Sequence, residues 1–519
     1  MVRAILLGVA FATIALLAAP ALDASASAND GQAYGWGGNE GGGYGDCNSN
    51  TFCGQTGVDA GRYILSPVAI AALPDVIALG SGTFHSLAVR SDGSVWAWGN
   101  NGAGQLGSAG AAGAYSVVPL QVPGIQGAVA VTGGFNHSLA LLSDGSVWVW
   151  GSGFIGTGIP YASFSPPVQI PNLVNITQLA AGESWSYAVR SDGTLWSWGF
   201  NGNGQLGDGT ATNRLTPVQV TGLSGVVAVA SHFAHALALR SDGTVWAWGY
   251  NNSGQLGDGT VVERHAPVQV AGLSDVVAIG TGAFHSVALK RDGTVWAWGW
   301  NPNGLLGIGS TGFTQLVPAQ VLGINAVAEI TVGGFHTIAK KSDGSLWAWG
   351  WNSWGQLGLG TQTTSESMPT AVGGLSSIGP FVAGRIHSLA AKQAISFASF
   401  SAKVEISSSG SFEMNGTFAL GSGSTGINPV TQPVTLQVGN FTAKIPAGSF
   451  LQNPRGHFVF EGFIDAVALE VNIVPLTDNT FAFRAEGVEA NNLPTTNPVN
   501  VGLSIGNNVG TTMVTAEIE

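Results

Sequence analysis

The stretch His285-Ser-Val-Ala-Leu-Lys-Arg-Asp-Gly-Thr-Val-Trp-Ala-Trp-Gly299 holds two short apolar runs joined by an Asp-Gly pair. That pattern reads as a β-hairpin with a tight turn. It recurs as His85-Ser-Leu-Ala-Val-Arg-Ser-Asp-Gly-Ser-Val-Trp-Ala-Trp-Gly99. The turn returns at Asp92, Asp144, Asp192, Asp242, Asp292 and Asp343, in steps of 52, 48, 50, 50 and 51 residues. A period near 50 built from strands predicts a β-propeller with one blade per repeat.

Each repeat reads as four strands. Around Asp242 they are expected at 226–230, 235–240, 244–249 and, at the edge, near 267–270, with Gly243 supplying the positive φ of the turn. Trp246 and Trp248 share one face of their strand and Val245 and Ala247 the other. A strand apolar on both faces needs cover on both, which blades stacked round a ring provide. Trp-Gly ends occur at Trp36, Trp98, Trp150, Trp198, Trp248, Trp298 and Trp349. Second-strand starts occur at His85, His137, Ser186 (after Trp185), His235, His285, His336 and His387, again seven. Tyr34-Gly-Trp-Gly37 lacks the strands that should precede it, and the His387 motif lacks a following Trp-Gly. The two halves complete each other. The expected fold is all-β, a seven-bladed propeller over 29–394 closed by its N- and C-terminal strands, which removes exposed edges.

The motifs Gly-x-x-His-Ser, Ser-Asp-Gly-x-Val-Trp-x-Trp-Gly and Asn-x-x-Gly-Gln-Leu-Gly recur in order over roughly 31–393. In this the chain resembles the regulator of chromosome condensation (RCC1-like) repeat family, in its bacterial secreted type. The resemblance implies a seven-bladed propeller that binds proteins through its loops. Known relatives include a nuclear exchange factor for a small GTPase, a plant UV-B photoreceptor and a secreted bacterial inhibitor of β-lactamases. The chain departs from the pattern at Gly153-Phe-Ile-Gly156, where Gly-Gln-Leu-Gly is expected, and at Trp185, which replaces a His.

With 45% hydrophobic residues, 17 Trp and 9% charged residues, the chain is unlike a disordered one. A net charge of −12 excludes nucleic acid as a partner, since that affinity comes from Lys and Arg on phosphates. Arg3, the apolar run from Ile5 to Ala19 and Ala26-Ser-Ala28 read as a signal peptide over 1–28, with Asn29 as the mature start. The chain is therefore expected to be exported, to the periplasm, surface or medium, with no membrane span in its mature part. Cys47 and Cys53 form a close, even pair, read as a local disulfide in an exported protein. Beyond Ile395 the Trp motifs stop. Alternating apolar residues at 412–420, 434–438, 441–445, 467–473, 481–483 and 501–505 predict a β-sandwich-like domain over 395–519, whose role no motif names.

The repeated His85, His137, His235, His285, His336 and His387 come one per blade, never at metal-ligand spacing, so no metal or cofactor is expected. Their reading is structural, each bonding a backbone group at its strand start. His232 and His265 have no counterpart in other repeats and read as peripheral. The turn aspartates are also structural: one per blade, they do not form a carboxylate pair for glycoside chemistry. No Gly-x-Ser-x-Gly or His-Glu-x-x-His motif occurs, and no catalytic residues are expected. After each Trp-Gly come Gly38, Asn100, Ser152, Phe200, Tyr250, Trp300 and Trp351, with Trp354 nearby. Phe200, Tyr250, Trp300, Trp351 and Trp354 are thus the candidate binding patch, since Trp and Tyr dominate interface hot spots. The competing reading is packing between blades or against the C-terminal domain. The chain is expected to be an exported, non-enzymatic scaffold that binds a protein or surface ligand. Alternatives are inhibition of an enzyme such as a β-lactamase and a structural envelope or matrix role. Nucleotide exchange and carbohydrate-active catalysis are less favoured.

Overall fold

In the computed structural model the chain divides into two units, Gln32–Ala391 and Lys392–Glu519. The described residues run from 32 to 518, interrupted by 40–53, 59–61, 71–72, 108–114, single positions at 161, 303, 313 and 376, and short stretches after 392. Residues 1–28 and both cysteines, Cys47 and Cys53, lie outside the described residues.

The described strands of the first unit form seven four-stranded antiparallel sheets. Blade 1 runs from its inner to its outer edge as Val76–Ser81, His85–Arg90, Val95–Asn100 and Tyr115–Gln121. Blades 2 to 6 repeat this order, with inner strands Ala128–Gly133, Ile176–Ala181, Val226–Ser231, Val276–Thr281 and Val327–Val332. Blade 7 takes Ile378–Ala383 and His387–Lys392 from the end of the repeats and Ala33–Gly38 and Tyr63–Ala69 from their start. Trp36 pairs with Ser388 and Gly37 with His387, which joins the two ends of the propeller. Each inner strand contacts the next, and that of blade 7 contacts that of blade 1, so the cycle of blades is closed.

Both faces of each blade are covered. In one core cluster Leu237, Leu239 and Ala247 of blade 4 pack with Ala288 and Trp298 of blade 5. The second Trp of every Trp-x-Trp reaches across such a seam and is fully buried. Removing one would cost about 3–5 kcal/mol.

Polar bonds reinforce the apolar seams, and they explain why four residue types recur. At seam 4/5, His235 Nε2 meets Ser286 Oγ at 2.9 Å, Ser286 Oγ donates to the Gln255 carbonyl at 2.8 Å, and Trp298 Nε1 donates to the same carbonyl at 2.8 Å. The same set joins blade 7 to 1 (His387, Ser86, Gln55, Trp98), 1 to 2 (His85, Ser138, Gln105, Trp150) and 6 to 7 (His336, Ser388, Gln356, Trp36). Gln255 Oε1 in turn accepts from Ser253 N at 3.0 Å, which fixes the loop that aims its carbonyl.

This corrects the expected histidine role. The partner is a serine side chain on the neighbouring blade, about fifty residues away, and not a backbone group at the strand start. The serine proton is committed to the carbonyl, so the imidazole must donate from Nε2. Nδ1 then has no partner in His85, His235, His336 and His387. Protonating it would place an unpaired N–H in the core. Burial accordingly pushes His85, His235, His285, His336 and His387 down to about 3 and His137 to about 4.

Three seams depart from the set. At seam 2/3 the His137–Ser186 bond survives, but Phe154 replaces Gln and Trp198 Nε1 has no partner. At seam 3/4 Trp185 replaces His and Ala236 replaces Ser; Trp185 Nε1 donates to Ser231 Oγ at 3.0 Å, and Tyr187 Oη donates to the Gln205 carbonyl. At seam 5/6 Leu305 replaces Gln and Thr337 replaces Ser, and His285 Nε2, Thr337 Oγ1 and Trp349 Nε1 are all buried without partners.

The second unit is a sandwich of a five-stranded and a seven-stranded sheet around one core that includes Phe412, Phe418, Leu436, Ile445, Leu469 and Leu503. The expected strands are present, together with Ser399–Ile406, Phe458–Ile464 and Asn508–Val514, which the sequence reading did not name. On the outer face of the larger sheet Glu461, Glu470, Glu486, Glu413 and Glu405 stand in one cross-strand row. Facing like charges are unfavourable; Arg484 bridges Glu413 and Glu486, and Lys403 bonds Glu405 at 2.7 Å.

Candidate binding face of the propeller

The antiparallel order sends two kinds of connection to opposite ends. The Asp-Gly turns and the links between blades lie at one end; the inner-to-second and third-to-outer loops lie at the other.

At the turn end the Asp side chains bond within their own blade, while the turn Gly carbonyls accept from the next blade's inner strand. Asp242 Oδ1 accepts from Thr244 N at 3.0 Å and from Thr244 Oγ1 at 2.6 Å, and Trp246 Nε1 donates to that hydroxyl at 3.3 Å. Gly243 follows with φ of 78°, the left-handed geometry that glycine supplies. Blades 1, 3, 5 and 6 repeat the unit with Asp92, Asp192, Asp292 and Asp343. Asp144 keeps the backbone bond to Ser146. The Ser or Thr hydroxyl, then the backbone N–H, hold Asp144, Asp192, Asp242, Asp292 and Asp343 below the usual carboxylate range. A basic residue lies over several half-buried Trp rings, as Arg190 does over Trp196 at 4.1 Å. These aspartates form the turns through Oδ1.

The loop end is different. Phe200 is 38% exposed, and Tyr250, Trp300, Trp351 and Trp354 are half-buried. They are not isolated. Trp300 packs edge-on against Phe284 at 5.6 Å, and Phe284 against Phe233 at 5.0 Å. Trp351 packs against Phe335 at 5.1 Å and Trp354 at 4.7 Å. The sequence reading named the outer members and missed the inner ones: Phe233, Phe284 and Phe335 precede the second strand and carry the aromatic surface toward the axis. Trp300, Trp351 and Trp354 thus pack against neighbouring rings and are still partly exposed.

Ion pairs and amide bonds cross-tie the loops of blades 3 and 4. The Asp208–Arg214 ion pair at 2.6 Å and Asp258–Arg264 at 2.8 Å tie the third-to-outer loops of blades 3 and 4. Asn201 and Asn251 amides donate into the same loops, to Thr210 O and Thr260 O at 3.0 Å. A preformed surface loses little entropy on binding.

Around the axis, six blades place glycine three residues before the His or Trp: Gly82, Gly134, Gly182, Gly282, Gly333 and Gly384. A Cβ at Gly82 would lie 2.1 Å from the His85 ring. Blade 4 has His232 there, and Ser231 Oγ bonds the His235 carbonyl at 3.1 Å in place of the backbone N–H that Gly282 uses. His232 is not peripheral, as its lack of a repeat counterpart suggested. It lies within electrostatic reach of His235, His285, His336 and Arg385, on four blades, which puts it near the axis. Burial, then Arg385, push it down to about 4. His265 is half-buried, with its ring against Gly204. Among the described residues no cluster of His, Cys, Asp or Glu could hold a metal. No described helix is long and apolar enough to cross a membrane.

A closed propeller with one self-satisfied end and one aromatic end is a repeat scaffold. The chain matches the RCC1-like domain over residues 165–449 and the regulator of chromosome condensation (RCC1) repeat over 76–105 and 92–141, and it belongs to that family. It is 40% identical over 85 residues to protein pim1 of Schizosaccharomyces pombe, a match covering 15% of this chain and 16% of pim1. Human WBSCR16 shares the fold, with a TM-score of 0.62 and 23% identity over 70% of this chain and all of that one. So does Prp20p of Saccharomyces cerevisiae, reported with its binding to Gsp1p and histones, with a TM-score of 0.62 and 22% identity over 70% and 92%.

Proposed function

We propose that this protein is an exported, non-catalytic scaffold that holds a partner protein on the loop end of its propeller, across blades 3 to 6. The observation that carries this reading is the run of Phe200, Tyr250, Trp300 and Trp351 on four consecutive blades, backed by Phe233, Phe284 and Phe335. Aromatic side chains bury large areas at low entropy cost. The binding of proteins by Prp20p supports the reading by family. Export rests on Arg3, the apolar run and Ala26-Ser-Ala28. A mature N-terminus at Asn29 in the exported fraction would support that part, and an intact chain retained in the cytosol would remove it.

The test is affinity capture. Immobilised full-length protein and a Trp300→Ala/Trp351→Ala variant, both verified as folded, are exposed to extracellular and envelope proteins. A partner held by the first and lost by the second supports the reading. Equal capture by both removes the aromatic patch, and no specific capture removes the scaffold role.

A further inference from the structure

The axial mouth of the loop end carries charges that the propeller does not neutralise by contact. Two residues before each second strand, the positions run Thr83, Phe135, Glu183, Phe233, Ala283, Gly334 and Arg385 from blade 1 to blade 7. Backbone bonds from Phe135 N to Glu183 O at 2.9 Å and from Glu183 N to His232 O at 3.1 Å link blades 2, 3 and 4. Phe135 and Phe233 therefore flank Glu183 on adjacent blades. The half-buried Glu183 carboxylate has no hydrogen bond or ion pair among the described residues; Arg385 acts on it only at longer range. Burial pushes this carboxyl up and Arg385 opposes the shift. Arg385 lies over the Phe84 ring at 5.6 Å, on the side of blades 7 and 1. Its stem passes Gly334, where a Cβ would come within 3.0 Å of Arg385 Cγ. Gly334 and Ala283, on the blades across from Glu183, add no bulk to the mouth. His232 stays neutral beside it.

We propose that this mouth anchors a lysine or arginine side chain of the protein partner, its cationic group on the Glu183 carboxylate and its stem between Phe135 and Phe233. An unpaired carboxylate that is partly removed from water is unfavourable, and a cation relieves it. Aromatic rings attract the same cation through their faces. The chain's net charge of −12 draws basic groups toward it. Arg385 acts on Glu183 at longer range and repels an incoming cation, so it opposes this binding. The inference rests on the scaffold reading but is tested without the unknown partner.

Full-length protein is titrated with the capped tripeptides Gly-Lys-Gly and Gly-Glu-Gly, followed by saturation-transfer NMR. The lysine peptide binds saturably to the wild type, about tenfold more weakly to Glu183→Gln and more tightly to Arg385→Gln, with unchanged thermal midpoints. Phe233→Leu weakens it severalfold and serves if Glu183→Gln fails to fold. No saturable binding of the lysine peptide, or equal binding by wild type and Glu183→Gln, overturns the proposal. So does binding of the glutamate peptide that is lost in Arg385→Gln, which would give the mouth to an acidic group. Capture through Trp300 and Trp351 is scored on other variants, so failure here leaves the scaffold test standing.

Discussion

The two ends of the propeller are built from the same repeats and treat them differently. At the turn end the repeats agree: Asp, Gly and Ser or Thr recur in six blades, the Asp side chain bonds within its own blade, and the Gly carbonyl accepts from the next blade's inner strand, as Gly243 O does from Val276 N at 3.2 Å. At the loop end they disagree. The residue after Trp-Gly changes from Gly38, Asn100 and Ser152 to Phe200, Tyr250, Trp300 and Trp351, and the axial position alternates between Phe, Glu, Arg and small residues. Seven copies of one unit need the same solution wherever they only hold themselves together. Copies differ at the loop end and at three of the seven seams. The uniform turn residues hold each copy together, and the varied loop-end positions are where the proposed recognition would lie.

The largest expected effect tests the buried histidines of the interior that both ends share. The histidines in the seams have folded values near 3 to 4, below about 6.5 in the unfolded chain. Between those limits the unfolded chain binds more protons, so their contribution is present above about 6.5 and lost as pH falls below it. At pH 5 each such histidine forfeits about 2 kcal/mol. Denaturant midpoints that fall steeply between pH 6.5 and 5 are expected; a flat profile would contradict neutral buried imidazoles.

Next in size, Trp298→Ala costs about 3–5 kcal/mol by denaturant unfolding, because it empties a seam and leaves the Gln255 carbonyl with one donor fewer. Trp351→Ala sharpens the contrast. It lowers partner affinity by about thirtyfold, near 2 kcal/mol, while costing less stability than Trp298→Ala. Comparable stability losses in the two variants would erase the distinction between interior and face. The smallest effect is a gain. Leu305→Gln with Thr337→Ser supplies seam 5/6 with the residues that bond seam 4/5, and raises stability by about 1 kcal/mol.

Much of the fold is legible in the sequence because its period is enforced by local chemistry. The Asp-Gly turn, the strand apolar on both faces and the split blade at the two ends all follow from spacing. In the repeat around Asp242, the strands at Val226–Ser231, His235–Arg240 and Val245–Gly249 fall within one residue of expectation. The histidine bond is not legible in the same way. His85 and Ser86 are adjacent in sequence, yet His85 bonds Ser138 and Ser86 bonds His387. Only the closed cycle of blades brings those pairs together. The axial role of His232 does leave a trace, since it occupies a position that is glycine in the other six repeats. Reading it as a peripheral extra overlooked that column. In the sandwich, Ser399–Ile406 carries the same alternation, in Phe400, Ala402, Val404 and Ile406, and was overlooked beside the end of the repeats.

Hydrogen exchange of the full-length protein, alone and with a captured partner, tests the division between the ends most directly. Protection confined to the loop end, at 182–186, 200–213, 232–235, 250–263, 282–285, 300–302 and 351–364, is the predicted result. Protection centred on the Asp-Gly turns at 190–194, 240–244, 290–294 and 341–345, with the loop end unchanged, would contradict it.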